Sequence, residues 1–326
     1  MKGIVETMER RQIGLYLLAI VAGGVFGWLV PSTSETLEHW INPVLGLLLY
    51  ATFLGIPFAA IGRAVRDLRF IGATVTLNFV FVPLIVFGLS RFIAGDQALL
   101  VGVLLVLLTP CIDYVIVFSG LAGASSDRLL ATAPILMLAQ MVALPAYLLI
   151  FIGPEVVSAV DPKPFVEALV ILIIIPLAMA AMTQKLAARN RVGRAVMATM
   201  ESLMVPLMMS TLAIVVGSQI VGVGEEVASL WTVVPIYVAF LIVMVPVGLA
   251  TSRIFRLDTG STRAAVFSGA TRNSLVVLPL ALALPEPFTL VALVVVTQTL
   301  VELVGMVVYV KVIPRIVTQH TPTTPI

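Results

Sequence analysis

Apolar stretches of about 20 residues, separated by short polar connections, follow one another along the whole sequence. A helix of about 20 residues crosses the ~30 Å hydrocarbon core of a bilayer. Ten stretches approach or exceed this length, at residues 12–30, 41–62, 70–90, 98–122, 129–152, 165–186, 196–220, 229–253, 263–284 and 288–312. The pattern predicts an all-α integral membrane protein with ten transmembrane helices, here called spans 1 to 10.

The composition fits this prediction and excludes several kinds of chemistry. Hydrophobic residues make up 60% of the 326 residues and charged residues 11%, whereas about a quarter of the residues of soluble domains are charged. The single cysteine excludes an internal disulfide and a multi-cysteine metal site. No metal-ligand spacing, phosphate loop or catalytic constellation is visible, so we expect no enzymatic activity, no metal or cofactor and no nucleic-acid partner.

Basic residues are concentrated on alternate connections. Of the 19 lysines and arginines, 16 lie at the two ends of the chain and in the connections that follow spans 2, 4, 6 and 8. The opposite connections hold Arg91 and Lys163 together with most of the acidic residues. Because basic connections stay in the cytoplasm, we predict cytoplasmic termini and a location in the plasma or inner membrane.

Ten spans with both termini on one side allow a five-plus-five inverted repeat, which is a common transporter plan. The first repeat would be 12–152 and the second 153–314, between a cytoplasmic N-terminus at 1–11 and a disordered cytoplasmic tail at 315–326. The similar stretches VPLIVFGLSRF and VPVGLATSRIF carry Pro83 and Pro246, which gives an offset of 246 − 83 = 163. This offset aligns residues 109–111 with residues 272–274.

Span 4 contains the stretch LLVLLTPCIDYVIVFSG, residues 104–120. Pro110 interrupts a helix because it has no N–H and clashes with the preceding turn. Thr109 is a good N-cap, so we predict that it caps a new half-helix running to Gly120, with Cys111 in the first turn.

Span 9 contains a second polar interruption, in GATRNSLVVLPLALAL at residues 269–284. Asn273 or Ser274 is predicted to cap another half-helix there. Two half-helix N-termini at the bilayer centre would present free N–H groups and positive dipole ends to a substrate. Spans 4 and 9 are therefore predicted to be broken helices around a polar site.

Charged side chains inside the membrane normally pair with one another or line a pathway. Asp113 and Arg272 are predicted to face each other or to share one cavity, either as a substrate site or as a structural ion pair. Glu302 lies one turn from Gln298 on span 10 and is a candidate for proton coupling, as is Asp113. Cys111 is either a substrate ligand or a small buried hydrophobe. The candidate substrate-binding residues are Thr109, Cys111, Asp113, Arg272, Asn273 and Ser274.

The ten spans, the inverted repeat and the breaks in spans 4 and 9 resemble the bile acid:sodium symporter superfamily. Within it, the Thr-Pro-Cys motif at residues 109–111 resembles the arsenical-resistance-3 (arsenite efflux) branch, in which the span-4 cysteine binds trivalent arsenic. By position that residue is Cys111. The resemblance also implies a core domain of spans 3–5 and 8–10 that rocks against a panel domain of spans 1, 2, 6 and 7.

The sequence departs from both branches of this superfamily in span 9. The arsenite branch has a glutamate just after the break, whereas Ser274 follows Asn273 here. In the sodium-coupled branch a glutamate and a glutamine help to hold sodium, and Ser268 and Arg272 occupy the matching positions. A guanidinium at this position repels sodium, so we hypothesise that Arg272 replaces the ion and that Asp113 carries protons.

Two functions remain open at this point. The first is a secondary transporter that exports arsenite or antimonite, as the trivalent arsenic bound by Cys111, in exchange for protons. The alternative is a proton- or sodium-coupled carrier of a small organic anion, because the Arg272 guanidinium is well shaped to bind a carboxylate. An intramembrane enzyme is less consistent with the sequence, because a lone Asp113 and a lone Cys111 lack the partner that hydrolytic chemistry needs. The substrate, coupling ion, transport direction and oligomeric state are not decided by the sequence.

Overall fold

The structure, a computed structural model, describes residues 7–8, 11–55, 67–111, 114–153, 167, 170–282, 284, 288 and 290–318. The α-helices are α1 (Gln12–Leu29), α2 (Ser34–Leu54), α3 (Leu68–Thr76), α4 (Val82–Ser90), α5 (Gln97–Leu107), α6 (Tyr114–Leu121), α7 (Ser126–Ile152), α8 (Ile175–Ala187), α9 (Arg191–Glu225), α10 (Val227–Leu230), α11 (Val234–Ile254), α12 (Thr259–Ala270), α13 (Ser274–Leu282) and α14 (Leu290–Ile316). One π-helical segment, Leu77–Phe81, joins α3 to α4, and another, Val170–Ile174, leads into α8. The β-pairing in these ranges is a single antiparallel bridge between Pro110 and Arg272.

Several of these helices can cross a membrane. By length and composition, five helical stretches meet this condition, and α1 and α2 meet it together as a pair bent by 107°. The five stretches are Leu68–Ile93, Ser126–Ile152, Arg191–Gly224, Ala228–Ile254 and Leu290–Ile316. The described residues agree with an all-helical, multi-pass membrane protein, while the count of ten spans and the inverted repeat stay predictions.

The interruptions predicted in spans 4 and 9 are confirmed. In span 4, α5 ends at Leu107 and α6 begins at Tyr114. In span 9, α12 ends at Ala270 and α13 begins at Ser274. Pro110 explains the first interruption, but no proline lies in the second, so its cause has to be sought in the tertiary contacts.

The C-terminal helix is longer than the sequence pattern predicts. Arg315 and Ile316 belong to α14, although the predicted disordered tail begins at residue 315. The buried side chain of Ile313 lies one turn from the end of α14, so tertiary packing extends to this last turn. The part of the tail from residue 319 onward lies outside the described residues.

The helices pack in two groups. In one group α9 packs against α1, α2 and α8, and α8 also packs against α2. In the other group α14 packs against α5, α11 and α13, and α12 packs against α11. The groups meet where α9 contacts α14 and where α2 contacts α13.

Small residues bring α1 and α9 close together. A Cβ atom added to Gly27 would lie 2.0 Å from the carbonyl oxygen of Gly217, and one added to Gly23 would lie 2.3 Å from that of Ala213. Such close backbone approach through small residues spaced four apart is a common means of helix association in membranes. The seam between α1 and α9 therefore depends on the absence of side chains at these positions.

A charged cluster ties together the beginnings of three helices in the second group. Asp67 is the N-cap of α3, and Asp258 is the N-cap of α12. Arg128, in the first turn of α7, lies 3.2 Å from the Asp67 carboxylate and 3.0 Å from that of Asp258. Burial acts to raise the pKa of Asp258, but hydrogen bonds from Ser261 and the Arg128 charge outweigh it, so the pKa is lowered.

Arg263 has a structural role that the charge pattern did not predict. The distribution of basic residues predicts only that Arg263 helps to orient the protein in the membrane. In the structure it lies inside α12, and only 8% of its surface is exposed. Its guanidinium donates hydrogen bonds to the carbonyls of Ala122, Gly123, Pro314 and Val317. These carbonyls lie at the ends of α6 and α14, so Arg263 satisfies acceptors that helix termini leave free.

Candidate functional site at the helix crossing

The two broken segments cross each other at their interruptions. The backbone N–H of Cys111 donates to the carbonyl of Thr271 over 3.2 Å, and the N–H of Asn273 donates to the carbonyl of Thr109 over 2.9 Å. These bonds flank the bridge between Pro110 and Arg272. Each break thus supplies hydrogen bonds that the other needs, which is the condition for irregular backbone at membrane depth.

The half-helices α5 and α12 begin in the same way. Asp96 accepts a hydrogen bond from the N–H of Leu99 at the start of α5, and Asp258 accepts one from the N–H of Ser261 at the start of α12. The two aspartates are N-caps separated by 258 − 96 = 162 residues.

The same two half-helices also end in the same way. The Thr109 hydroxyl donates to the carbonyl of Leu105, and the Thr271 hydroxyl donates to that of Phe267, each over 2.8 Å. The threonines are again 271 − 109 = 162 residues apart. These shared contacts align Thr109 with Thr271 and Cys111 with Asn273, an offset of 162 where the proline match predicts 163, and the repeat itself stays a prediction.

The predicted N-cap of the span-4 half-helix is wrong. Residues 109–111 are not helical, and α6 begins at Tyr114. The Thr109 hydroxyl donates to Leu105 in the last turn of α5, so Thr109 interacts with the helix before it and does not cap α6. The prediction for span 9 is confirmed, because the Asn273 side chain accepts from the N–H of Val276 over 3.3 Å in the first turn of α13.

Arg272 is completely buried at the crossing. Its guanidinium donates to the side-chain oxygen of Asn78 and to the carbonyls of Leu107, Ser268 and Gly269 over 2.7 to 3.3 Å. These acceptors are neutral, and three of them belong to the last turns of α5 and α12, where helix dipoles place partial negative charge. Among the described residues, no carboxylate forms a salt bridge with this guanidinium.

Glu302 joins the crossing from the middle of α14 and is buried. One carboxyl oxygen accepts from the backbone N–H of Arg272 over 2.8 Å and from the side-chain amide of Gln298. The other accepts from the phenol of Tyr114 over 2.7 Å. The hydrogen bond to the Arg272 backbone explains how the break in span 9 is held without a proline.

Tyr114 is a member of the site that sequence reasoning missed. Its phenol oxygen lies 2.9 Å from the carbonyl oxygen of Arg272 as well as 2.7 Å from Glu302. An aromatic residue in an apolar stretch gives no signal of such a role. The spacing of three residues after Cys111 would have placed it near the break.

Most of the candidate residues meet at this crossing. Cys111, Asn273 and Ser274 are each at most 2% exposed. The amide nitrogen of Asn273 has no hydrogen-bond partner within the described part of the chain, whereas the Ser274 hydroxyl lies beside the Tyr114 phenol. Asp113 lies outside that part, so its predicted proximity to Arg272 stays a prediction.

The chemistry of the site is that of one soft thiol beside neutral polar groups. The side chains of Asn273 and Ser274 can donate hydrogen bonds to oxygen atoms of a bound molecule. The guanidinium of Arg272 makes its hydrogen bonds to the surrounding protein through both terminal nitrogens, and its Nε atom is buried without a partner among the described residues.

Comparison with known proteins, like the broken helices, indicates a membrane transporter. Residues 42–196 match the model of the Sodium Bile acid symporter family. This segment, just under half of the chain, includes α5, α6 and the first of the two breaks. The match supports the bile acid:sodium symporter superfamily and hence a membrane transporter for a small molecule. A search of curated proteins gave no significant match.

Proposed function

We propose that this protein is a secondary transporter that exports arsenite or antimonite in exchange for protons by alternating access. The observation that supports this substrate is the set of buried side chains Cys111, Asn273 and Ser274 at the helix crossing. The Cys111 thiol is buried there, next to the break that holds the unpartnered Asn273 amide and, beside it, the Ser274 hydroxyl. Unpartnered polar groups in a protein interior are rare and ask for an explanation.

Trivalent arsenic hydroxide matches this set of groups. The Cys111 thiol displaces one hydroxyl, so that an S–As bond forms, an As–O bond breaks and water leaves. The two remaining hydroxyls are acceptors for the Asn273 amide and partners for the Ser274 hydroxyl. A single thiol binds arsenic reversibly, as a carrier requires, whereas three thiols would trap it.

The surroundings of Arg272 support transport that does not depend on sodium. A sodium ion is held by oxygen atoms, and here four oxygen atoms from Asn78, Leu107, Ser268 and Gly269 hold a guanidinium instead. A fixed cation at this position keeps the two breaks together without a bound ion. The same bonds weaken the organic-anion alternative, because both terminal nitrogens of Arg272 already bind protein oxygen atoms and only Nε is left without a partner among the described residues.

The packing supports alternating access between two bodies. Within predicted spans 1, 2, 6 and 7, α9 packs against α1, α2 and α8, and the crossing is built from helices of the other group. Rocking of the panel domain against the core domain would expose the crossing to one side of the membrane at a time. Glu302 is the proton carrier that the described residues offer, and Asp113 is the second candidate.

The test is arsenite accumulation in cells that lack their own efflux system. Cells that make the native protein should accumulate less arsenite, and Cys111→Ser should restore accumulation to the level of empty cells. Ser274→Ala should weaken efflux. Ser119→Ala is the matched control, because Ser119 is buried on α6 and donates only to its own helix at Ile116.

Membrane insertion of every variant has to be verified in the same cells. If well-inserted native protein leaves accumulation unchanged, the arsenite assignment is wrong. Uptake or efflux of labelled carboxylates, with Arg272→Lys as the diagnostic variant, would then test the organic-anion alternative.

A further inference from the structure

If Glu302 is ionised, the contacts around the Tyr114 phenol need one more hydrogen atom than the side chains supply. A phenol carries one hydrogen, and a backbone carbonyl can only accept. Yet the phenol oxygen of Tyr114 lies 2.9 Å from the Arg272 carbonyl and 2.7 Å from a carboxyl oxygen of Glu302. One hydrogen cannot form two full hydrogen bonds to these two oxygen atoms.

A proton on Glu302 resolves the shortage. The protonated carboxyl donates to the phenol oxygen of Tyr114, and the phenol then donates to the Arg272 carbonyl. The other carboxyl oxygen of Glu302 keeps accepting from the Arg272 N–H and from Gln298. The phenol oxygen, both carboxyl oxygens and the Arg272 carbonyl then each have a hydrogen-bond partner.

Without that proton, the phenol is drawn to the carboxylate, because hydrogen bonds to a charged acceptor are roughly twice as strong as those between neutral groups. The Arg272 carbonyl then loses Tyr114, which is the donor that the described residues provide for it. A buried carbonyl without a partner is destabilising. The break in span 9 is consequently held less firmly when Glu302 is ionised.

The other groups around Glu302 fit this picture. Among the described residues, the titratable or charged groups that face it are Tyr114 on α6, Arg272 at the break in span 9, and Tyr309 on its own helix. Cys111 lies beside Tyr114 and Arg272. Of these groups, Tyr114 alone forms hydrogen bonds with both the Glu302 carboxyl and the Arg272 carbonyl.

We propose that Tyr114 and Glu302 form a proton-operated clasp on the helix crossing, closed when Glu302 is protonated and loosened when it is ionised. This proposal rests on the proposed proton exchange, and it explains how protonation of Glu302 would affect the substrate site. The Arg272 carbonyl lies between Thr271, which accepts from the Cys111 N–H, and the Asn273–Ser274 pair. Loosening at Arg272 therefore reaches the residues proposed to bind the metalloid.

The sole cysteine is a native probe of the clasp. The rate at which N-ethylmaleimide alkylates Cys111 would be measured on the purified full-length protein, with no metalloid and no ion gradient, over about pH 5 to 9. Each rate is divided by that of Glu302→Gln at the same pH, so that ionisation of the thiol cancels. The glutamine amide donates to Tyr114 as a protonated carboxyl does and cannot be ionised.

For the native protein, the clasp predicts that the alkylation rate equals that of Glu302→Gln at the acidic end of the pH range. At the alkaline end the native rate should be about tenfold higher than that of Glu302→Gln. In Tyr114→Phe the Arg272 carbonyl has lost its donor at every pH, so the ratio should be about tenfold throughout. Tyr237→Phe is the matched control, because Tyr237 is a buried phenol that donates to the Val294 carbonyl on α14. It should follow the native protein.

A native ratio that does not change with pH, or a Tyr114→Phe variant that behaves like the native protein, would overturn the clasp. If Glu302→Gln does not insert, infrared difference spectra provide a second measurement. The native protein should show a protonated carboxyl band that titrates, persists in Asp113→Asn and moves to higher frequency in Tyr114→Phe. A missing or unmoved band contradicts the proposal, and neither experiment depends on whether arsenite is the substrate.

Discussion

Arg272 shows how a charged residue can be stable at the centre of a membrane protein. A buried charge is costly unless hydrogen bonds compensate for lost water. Here the guanidinium has four oxygen partners from three different segments of the chain. The sequence marks Arg272 as unusual, but its partners lie up to 194 positions away and become visible only in the fold.

The first prediction concerns this residue. Arg272→Gln should destabilise the protein by about 3 kcal/mol, because several hydrogen bonds from a charged donor are lost. The oxygen atoms left behind can bind a small cation, so sodium should restore part of the stability of this variant and potassium should restore less. Thermal unfolding in detergent, in sodium and in potassium buffers, measures both effects.

The native protein serves as the reference, and its unfolding midpoint should be the same in the two buffers. Stabilisation of the native protein by sodium would contradict the idea that Arg272 takes the place of the ion. Arg272→Lys separates charge from geometry, because lysine keeps the charge but cannot reach all four oxygen atoms.

A second prediction uses the lowered pKa of Asp258. A carboxyl group whose pKa is lower in the folded state stabilises the protein above its unfolded pKa of about 3.9, and this stabilisation is lost as the pH falls through the folded value. Asp258→Ala should cost about 1 kcal/mol at pH 7, chiefly through loss of the N-cap. The difference from the native protein should shrink below about pH 4.

Asp258→Asn is the matched control, since asparagine keeps the cap and cannot ionise. Its advantage over Asp258→Ala should stay constant as the pH is lowered. Unfolding midpoints over the acidic range decide the point, and a native advantage over Asp258→Ala that does not change with pH would show that ionisation of Asp258 does not matter.

At the scale of elements, the half-helices α5 and α12 are the parts whose local chemistry repeats. Both begin at an aspartate N-cap, and each is followed within two residues by a threonine whose hydroxyl donates to the last turn of the helix. The interval from cap to threonine is the same, since 109 − 96 and 271 − 258 both equal 13. This equivalence supports the proposed inverted repeat where its two halves meet.

The seam between α1 and α9 gives a prediction at the same scale. Gly27→Ala would place a methyl group 2.0 Å from the Gly217 carbonyl oxygen, so the helices must separate. Overpacking of this kind costs about 1–3 kcal/mol. Gly14→Ala, on the same helix with no atom within 4 Å of the added carbon, should leave stability unchanged or slightly increase it.

Thermal unfolding and the yield of well-inserted protein measure the effect of both substitutions. Equal stability of the Gly27 and Gly14 variants would mean that the close approach of α1 to α9 is not required for the folded state.

At the scale of the whole molecule, transport by rocking requires the two helix groups to move against each other. Their contact includes Gly222 on α9, where an added Cβ would lie 3.2 Å from the Leu293 side chain on α14. By contrast, Gly248 on α11 and Val266 on α12 lie within one group. A Cβ added to Gly248 would lie 3.4 Å from the Cβ of Val266. The two pairs allow motion between groups to be separated from motion within a group.

A disulfide between Gly222→Cys and Leu293→Cys should stop transport under oxidation and release it on reduction, because it fixes the panel helices to the core helices. The pair Gly248→Cys and Val266→Cys should leave transport intact. Metalloid efflux from oxidised and reduced vesicles is the measurement, with Cys111 retained in both variants. Undiminished transport by the first pair, with the disulfide verified, would exclude rocking at this contact.

Hydrophobic length, one proline in span 4 and a polar interruption in span 9 were enough to predict a helical membrane protein with breaks in these two spans. These features are local, because a bilayer demands long apolar helices and Pro110 cannot donate a backbone hydrogen bond. The sequence also placed Asn273 correctly as an N-cap, since capping depends on residues within one turn.

Only the tertiary structure decided how the breaks fit together. The hydrogen bonds between the two breaks, the four oxygen partners of Arg272 and the meeting of Tyr114 with Glu302 all depend on contacts between distant segments. Such contacts leave no periodic trace in the sequence, because each needs only one suitably placed donor or acceptor. In a membrane interior, where water cannot satisfy backbone groups, these partners determine which polar residues are structural and which are left to bind a substrate.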